Sequence, residues 1–289
     1  MTETVAIVGL GLMGGSLGLA LRGQGVRVRG CARREATRAD ALRRGAVDEA
    51  FDDPAAAAEG AGRIVVCVPV RAIPELIRAV RPALRRGAVV TDVGSTKAHV
   101  SALCPPLLEG TGAAFVGSHP IAGSERQGIE SARADLYRGA LTVVTPLASA
   151  PDDAVGQVES LWRSVGSRVL RMEPGDHDRR LARTSHLPHL AAAALAAAVG
   201  RADGAEAAAP LCGPGFRDAT RIAEGSADVW IDIVGTNREA VAAELDGLGE
   251  RLAAMARAVR AGDDAAVRRL LEDGRSGRRR MLGDARRTE

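Results

Sequence analysis

The sequence is poor in aromatic residues, in lysine and in closely spaced cysteines. Aromatic residues make up only 2% of the 289 residues, so alanine, valine, leucine and isoleucine must form the core. Lys97 is the only lysine, and every other basic residue is an arginine. The four cysteines show no CxxC spacing. This excludes the usual zinc-site patterns and favours free thiols in a reducing compartment.

The sequence also lacks the signals of a membrane protein or a nucleic-acid-binding protein. The formal net charge of +3 is too small to indicate nucleic-acid binding. The N-terminus has no basic segment before an apolar run, and no apolar run is long enough to span a membrane. We therefore expect a cytoplasmic protein with no nucleic-acid or membrane partner.

The first part of the chain contains an alternation of strand-like and helix-like segments, which ends near residue 172. The predicted strands are TVAIV, VRVRGC, RIVVCV, AVVTDV, AAFVGS, LTVVTP and SRVLRM, and the predicted helices are 12–24, 35–44, 72–81, 96–108 and 153–165. Several strands are apolar throughout, as is typical of parallel strands covered on both faces. The alternation predicts an α/β domain with a doubly wound, mostly parallel sheet at 1–172.

The remaining residues, 173–289, show no strand pattern. Four helices are predicted, at roughly 176–202, 215–225, 237–261 and 263–284. Segments such as HLAAAALAAAVG are rich in alanine, a strong helix former. Their small side chains allow helices to pack closely at an interface. We therefore expect a second, all-helical domain at 173–289.

A glycine motif follows the first predicted strand. Gly9, Gly11 and Gly14 have the GxGxxG spacing between a strand and a helix. Gly9 allows a tight turn, Gly11 leaves room for a pyrophosphate, and Gly14 lets the helix approach the strand. The helix N-terminus offers free N–H groups to phosphate. The motif predicts a dinucleotide-binding domain of Rossmann type. Other residues expected along the cofactor are Leu12, Met13, Val68 and Pro69.

The end of the second predicted strand indicates which dinucleotide binds. An NAD site carries an acidic residue about 20 positions beyond the glycines, where it holds the ribose 2′-hydroxyl. This chain has Ala32 at that place, followed by Arg33 and Arg34. Losing a carboxylate and gaining guanidinium groups favours a 2′-phosphate. NADP is therefore favoured over NAD, although arginine is common throughout this chain.

Two further strands leave polar side chains at the same edge of the predicted sheet. Ser95 follows the strand AVVTDV, and His119 follows AAFVGS. Ligands of open α/β sheets bind outside the carboxyl ends of strands, so both side chains are expected beside the nicotinamide. A serine can hydrogen-bond a substrate hydroxyl, and a neutral imidazole can accept its proton as hydride leaves. The pair predicts a dehydrogenase.

Five motifs in order, DVGSTK, GSHPIAGSE, TSHLPHLAAAAL, GPGFRDATRIA and WIDI, resemble the prephenate/arogenate (cyclohexadienyl) dehydrogenase family. The resemblance extends from the glycine motif to about residue 240. It implies oxidation of the 4-hydroxyl of a cyclohexadienol by NAD(P)+ and loss of the ring carboxylate as CO2. The product would be 4-hydroxyphenylpyruvate or tyrosine. The resemblance also implies a nucleotide-binding domain followed by a helical domain that binds substrate and forms a homodimer.

The same resemblance implies roles for individual residues. His119 matches the catalytic histidine, and Ser95 matches the serine that orients the 4-hydroxyl. Arg221 matches an arginine that binds a substrate carboxylate, which suits the planar guanidinium. Glu125 and Asp178 match acids that form an ionic gate with that arginine. The other expected substrate-site residues are Ser185, His189, Arg217 and Trp230, with Trp230 serving its own or the partner subunit's site.

The residues leave alternative functions open. Prephenate and arogenate are not distinguished, and a dehydrogenase for an amino-substituted prephenate in secondary metabolism would carry similar motifs. A β-hydroxyacid dehydrogenase shares the domain plan, but its catalytic lysine is expected in the helical domain, where 173–289 contains none. A non-catalytic NAD(P)-binding sensor would keep the glycines without needing Ser95, His119 and Arg221 together.

Several residues also have purely structural interpretations. His186 and His189 share a helix face at i,i+3, but no HExxH motif or third ligand accompanies them, so no metal is expected. His99 and His177 are expected to be exposed. Lys97 is expected to have a functional or packing role because it is the sole lysine, and Trp230 is as consistent with core or interface packing as with a site role.

Overall fold

The structure is a computed structural model that describes residues 3–122, 126–201 and 204–283. Its first sheet contains the strands β1 (Glu3–Val8), β2 (Val26–Cys31), β3 (Glu49–Phe51), β4 (Arg63–Val66), β5 (Val89–Asp92) and β6 (Ala114–Phe115). All are parallel, in the order β3-β2-β1-β4-β5-β6. The order reverses between β1 and β4, as in the Rossmann fold. The predicted fold class is therefore confirmed.

Five helices accompany this sheet: α1 (Leu12–Leu21), α2 (Glu35–Arg44), α3 (Pro54–Ala58), α4 (Ile73–Val80) and α5 (Ala98–Leu107). Successive residues of a strand point to opposite faces, and β1 shows this directly. Val5 and Ile7 belong to one buried apolar cluster, whereas Ala6 and Val8 belong to another. The sheet is thus covered on both faces, which explains why its strands are apolar throughout.

A second, three-stranded sheet follows, formed by β7 (Gly117–Ile121), β8 (Leu141–Thr145) and β9 (Arg168–Arg171), with α6 (Asp152–Ser164) between the last two strands. β7 is antiparallel to β8, and β9 is parallel to it. The prediction of one strand at AAFVGS was wrong, because the chain leaves the first sheet after Val116. β7 begins at Gly117, where a Cβ would lie 2.7 Å from Thr145 Oγ1.

The part of the chain after β9 is helical in its described residues, as predicted. Its helices are α7 (Pro174–Leu181), α8 (Leu187–Gly200), α9 (Ala205–Ala208), α10 (Pro214–Thr220), α11 (Ala227–Thr236), α12 (Arg238–Arg260) and α13 (Asp264–Leu282). A π-helical turn, Ala182–His186, separates α7 from α8, so 176–202 is not one regular helix. Helix α11 was not predicted. No helix in the described ranges is both long and apolar enough to cross a membrane.

The chain divides into two compact units, Met1–Val241 and Ala242–Glu289. The first contains both sheets together with α7, α8, α10 and α11. The second contains most of α12 and all of α13, whose N-terminus is capped by Asp263 through a 2.9 Å hydrogen bond from the Ala266 N–H. Every candidate site residue described below belongs to the first unit.

Candidate active site

The glycine motif forms the turn between β1 and α1. Gly9 has φ = +103°, in the region that favours glycine, and a Cβ there would collide with the carbonyl oxygen of Cys67. A Cβ at Gly14 would collide with the Gly9 carbonyl oxygen, so the helix can approach the strand only because Gly14 lacks one. Both glycines therefore have the structural roles predicted for them.

Gly11 is different, because a Cβ at this position would meet no atom within 4 Å. It is the N-cap residue of α1, and no side chain caps the helix there. The first N–H groups of α1 therefore face open space, which is the arrangement that binds a pyrophosphate. The loop fits the phosphates of a nicotinamide dinucleotide, and that cofactor would supply a hydride acceptor when bound.

A cavity of about 320 Å³ lies over this loop. It is lined by residues at the carboxyl ends of β1, β4 and β5 and by residues from α11. From the sheet side come Gly11, Leu12, Met13, Val68, Pro69 and Ser95, and from α11 come Val229, Asp232 and Ile233. The predicted cofactor contacts Leu12, Met13, Val68 and Pro69 thus share one cavity with Ser95.

Helix α11 is held against the loop that follows β4. The Asp232 carboxylate accepts the Arg71 N–H at 3.1 Å and lies 3.4 Å from Arg71 Nε. The Arg71 guanidinium also lies against Gly235, in the space that a Cβ there would occupy. The WIDI motif therefore closes the helical side of the cavity.

The two arginines expected to recognise a 2′-phosphate lie just beyond β2. Arg33 and Arg34 are exposed, and neither forms an ion pair within the part of the chain that the structure describes. Arg38 donates from Nη1 to the carbonyl oxygens of Ala32 and Arg33, each at 2.8 Å, and so fixes the backbone of this segment. Both guanidinium groups remain available to a phosphate.

Lys97 lies in a buried polar network at the carboxyl end of β5. Its side chain is fully buried, and Nζ forms an ion pair with Asp92 and donates to the Ser118 carbonyl oxygen at 2.8 Å. Asp92 also accepts the backbone N–H of Gly94 and of Ser118. The sole lysine is therefore a buried packing residue that ties the Ser95 segment to the residue before His119.

His119 lies on β7 and is half-buried. Its Nδ1 atom lies 2.9 Å from Nε2 of His177, and Nδ1 of His177 lies 2.8 Å from Oδ1 of Asp178. His177 is fully buried on α7. The prediction that His177 is exposed was wrong. The polar sequence PGDHDRRL is typical of an exposed helix, but the His177 side chain packs inward between Asp178 and His119.

Asp178 is buried and faces the N-terminus of α5. Its two carboxylate oxygens accept the backbone N–H groups of Lys97, at 2.7 Å, and Ala98, at 2.9 Å. In the described residues no ion pair joins Asp178 to Arg221, and the expected ionic gate stays a prediction. Free N–H groups and positive helix dipole hold the carboxylate at α5 instead. The other expected gate residue, Glu125, lies outside the described residues.

The pKa of His119 is lowered well below 6.5, first because burial penalises the cation and then because His177, Lys97 and His186 are nearby. Burial likewise lowers the pKa of His186 to about 4. Both imidazoles are therefore neutral near pH 7. A neutral His119 can accept a proton, as a general base must.

A second aromatic cluster lies on the helical side. His189, at the start of α8, stacks on Trp230 of α11 with ring centroids 3.6 Å apart and an interplanar angle of 13°. His186 meets the same indole edge-on at 6.0 Å. Gly225 lies beside the stack, where a Cβ would approach His189 Cε1 to 2.8 Å. Trp230 thus contacts His186 and His189 of its own chain.

The remaining substrate-site candidates lie on the surface of the helical part. Ser185 is half-buried in the π-helical turn, and Arg217 on α10 is exposed. Arg221 begins a 3₁₀ turn that packs on α8, and its side chain is exposed. No ion pair to Arg221 occurs in the described ranges, so its guanidinium is not consumed by an internal acid.

The structure groups these residues into two clusters. Ser95 joins the glycine loop at the cavity, and His119 joins His177 and Asp178. The Lys97 contact to Ser118 links the two clusters. Ser185, Arg217 and Arg221 are not joined to either cluster by a hydrogen bond or ion pair among the described residues.

Three contributors were not identified from the sequence: Asp92, His177 and Asn237. Asp92 had a visible signal, since it is the one charged residue in the apolar strand AVVTDV. Asn237 lies 59 residues beyond Asp178 with no motif around it. Its Nδ2 atom donates to the Asp178 carbonyl oxygen at 2.8 Å and lies 3.3 Å from His186 Nδ1. Only the folded chain reveals that contact.

Comparison with known families agrees with this arrangement. The family model described as prephenate dehydrogenase, nucleotide-binding domain, matches residues 17–171, and that described as prephenate dehydrogenase, dimerization domain, matches residues 173–273. This chain belongs to the prephenate dehydrogenase family. The family expected from the sequence motifs is therefore confirmed.

Individual relatives of the family cover nearly the whole chain. A cyclohexadienyl dehydrogenase of Zymomonas mobilis is 34% identical over 84% of this chain and 83% of its own length. The prephenate dehydrogenase of A. aeolicus, solved with hydroxyphenyl propionate and NAD+, is 29% identical with a TM-score of 0.87, covering 97% of this chain and 99% of its own. Synechocystis arogenate dehydrogenase is 30% identical with a TM-score of 0.82, covering 97% of this chain and 100% of its own.

Proposed function

We propose that this enzyme catalyses the NAD(P)-dependent oxidative decarboxylation of prephenate, arogenate or both, in tyrosine biosynthesis. Family membership supports a dehydrogenase of this class. The observation that carries the proposal is the link between Ser95, which lines the nucleotide cavity, and His119, a neutral imidazole, through the buried Lys97 network.

In the proposed reaction, His119 accepts the proton of the substrate 4-hydroxyl as the hydride leaves the same carbon. Ser95 orients that hydroxyl by a hydrogen bond. The C–H bond breaks, its electron pair leaves as hydride, and a carbonyl group forms. Loss of the ring carboxylate as CO2 then makes the ring aromatic and leaves a phenolate, which takes back the proton held by His119 and becomes the phenol. A depressed pKa suits His119 to this role because the base must start unprotonated.

Arg221 is the proposed partner of a substrate carboxylate. Its exposed guanidinium, without an internal ion pair in the described residues, can form a bidentate contact with a planar carboxylate. Ser185, His189, Arg217 and Trp230 are proposed to line the same substrate site, and the His189–Trp230 stack supports a preformed apolar wall.

NADP is the proposed cofactor in preference to NAD. The absence of an acid at Ala32 and the two exposed arginines support a 2′-phosphate site. The double variant Arg33→Ala/Arg34→Ala should raise the KM for NADP+ by roughly 10-fold or more while changing that for NAD+ little. Equal KM values for NADP+ in the variant and wild type would contradict this preference.

We also propose a homodimer formed through the helical part, with a nucleotide-binding domain at 1–172 and a helical domain at 173–289. The two family matches, which end and begin at 171 and 173, support this division. Exposed apolar side chains on α12 and α13, including Leu252, Val259 and Leu271, support an interface.

The four free cysteines support a reducing, cytoplasmic compartment.

Steady-state kinetics with both substrates and both cofactors test the proposed function. Reduced cofactor and CO2 should appear in a one-to-one ratio with prephenate, arogenate or both. A sensor would bind NADP+ and form neither product. Formation of reduced cofactor without CO2 would instead indicate a simple alcohol dehydrogenase.

A further inference from the structure

The hydrogen bonds of His119 continue into the protein through two more side chains. Starting from the backbone of α5, the Lys97 N–H donates to Asp178 Oδ1, which lies 2.8 Å from His177 Nδ1. The other ring nitrogen of His177 lies 2.9 Å from His119 Nδ1. His177 is fully buried, and its two ring nitrogens are both engaged.

With an ionised carboxylate and two neutral imidazoles, these contacts permit only one arrangement of the protons. An ionised carboxylate can only accept hydrogen bonds, so His177 must carry its proton on Nδ1 to donate to Asp178. A neutral His177 then presents an unprotonated Nε2, which accepts a hydrogen bond. His119 must supply that hydrogen from Nδ1, and its Nε2 is left unprotonated, with no hydrogen-bond partner in the described part of the chain.

We propose that His177, held by Asp178, is a positioning residue that fixes His119 in the tautomer whose Nε2 lone pair accepts the substrate proton. This inference rests on the proposed role of His119 as base. A histidine without such a partner would divide between two tautomers, and its ring would be free to rotate. The pair thereby prepares the base before substrate arrives.

The groups that face the His119 ring agree with this role. His177, Lys97 and His186 lie close enough to disfavour the imidazolium and so favour the neutral base, whereas the Asp178 carboxylate lies beyond His177. When Nε2 takes a proton, the Nδ1–H of the resulting cation still donates to His177, and Asp178 lies at the far end of the chain. The arrangement therefore favours the neutral base, while the protonated product keeps its hydrogen bond to His177 without moving a side chain.

Two substitutions at His177 separate its contact with Asp178 from its contact with His119. In His177→Asn the amide nitrogen replaces Nδ1 and keeps the contact with Asp178, but nothing reaches His119. In His177→Gln the amide oxygen replaces Nε2 and can accept from His119 Nδ1. We expect kcat to fall ~10- to 100-fold in the Asn variant and to recover to within ~3-fold of wild type in the Gln variant, with KM values unchanged.

The ¹⁵N chemical shifts of the His119 ring provide a readout that does not need turnover. With five histidines in the chain, the signals can be assigned by substitution. Above its pKa, His119 of the wild type and of His177→Gln should show a protonated Nδ1 and an unprotonated Nε2. The Asn variant should show averaged shifts. His99→Asn, a half-buried histidine on α5, is the matched control and should change neither kcat nor the His119 shifts.

The kinetic and NMR measurements distinguish failure of this inference from failure of the proposed function. If no variant or wild type turns over substrate but the shifts behave as expected, the tautomer assignment stands and the proposed function fails. If the wild type is active and the Asn variant keeps both the wild-type shifts and the wild-type kcat, His177 does not position the base. A large kcat loss with unchanged His119 shifts would also overturn the inference.

Discussion

The glycine motif and the hydrogen-bonded side chains of His119, His177 and Asp178 have proposed roles in one reaction, but the protein builds these two regions in different ways. The predicted cofactor-binding region uses the backbone of one short segment, whose glycines allow close approach because they have no side chain. The proton-accepting region uses side chains from β7 and α7 and backbone N–H groups at the start of α5, brought together only by folding. A local motif therefore identifies the first region, whereas the second depends on tertiary contacts that leave almost no trace in sequence.

The largest expected effect comes from removing the His119 imidazole, which should leave cofactor binding unchanged. His119→Asn should lower kcat by on the order of 10²–10⁴ while leaving the Kd of the cofactor unchanged, because the glycine loop does not touch this side chain. Pre-steady-state appearance of reduced cofactor and cofactor titration would measure the two quantities. His99→Asn serves as the control. A kcat equal to wild type would remove His119 from the reaction.

The next effect concerns the link between the two regions. Lys97→Met leaves Asp92 buried without its cation, so the free energy of unfolding should fall by about 3–5 kcal/mol. Urea unfolding measures this loss. In Lys97→Met/Asp92→Asn the buried charge is absent, and much of the loss should be recovered. A single variant as stable as wild type would show that the ion pair does not hold the Ser95 segment to β7.

A smaller effect is expected at the substrate carboxylate. Arg221→Ala removes a charge-assisted hydrogen-bonding partner worth about 1.5–3 kcal/mol, so KM for substrate should rise roughly 10- to 150-fold with the cofactor KM unchanged. Arg217→Ala provides a comparison with a second exposed arginine of the same region. A substrate KM at the wild-type value would assign Arg221 to the protein surface alone.

Much of the fold follows from the sequence because its signals are local. Apolar strands, amphipathic helices and the glycine spacing are each contained within a few residues. Among the elements that were not predicted, two were missed for a clear physical reason. β3 is only three residues long, Glu49–Phe51, and has no β-branched residue. AAFVGS has the pattern of one strand, yet the chain changes sheets at Gly117, which pairs with Thr145 of β8, a partner distant in the sequence.

The candidate site divides in the same way. Leu12, Val68 and Ser95 could be predicted because they follow strands whose carboxyl ends meet at one edge. His177 could not, since its polar neighbours are typical of an exposed helix, and the contact that holds Asp178 at α5 joins residues 80 positions apart in the sequence. Asn237 had no signal at all. Side-chain chemistry read from a motif does not reveal the partners that orient it.

The central claim is that His119 acts as a neutral base, and the pH dependence of kcat/KM tests it most directly. Because the pKa of His119 lies well below 6.5, kcat/KM of the wild type for its better substrate should stay constant as the pH falls from 8 to 6.5. It should then decline with unit slope only at more acidic pH. An acidic limb with an apparent pKa at or above 6.5, in protein shown to remain folded, would contradict the account.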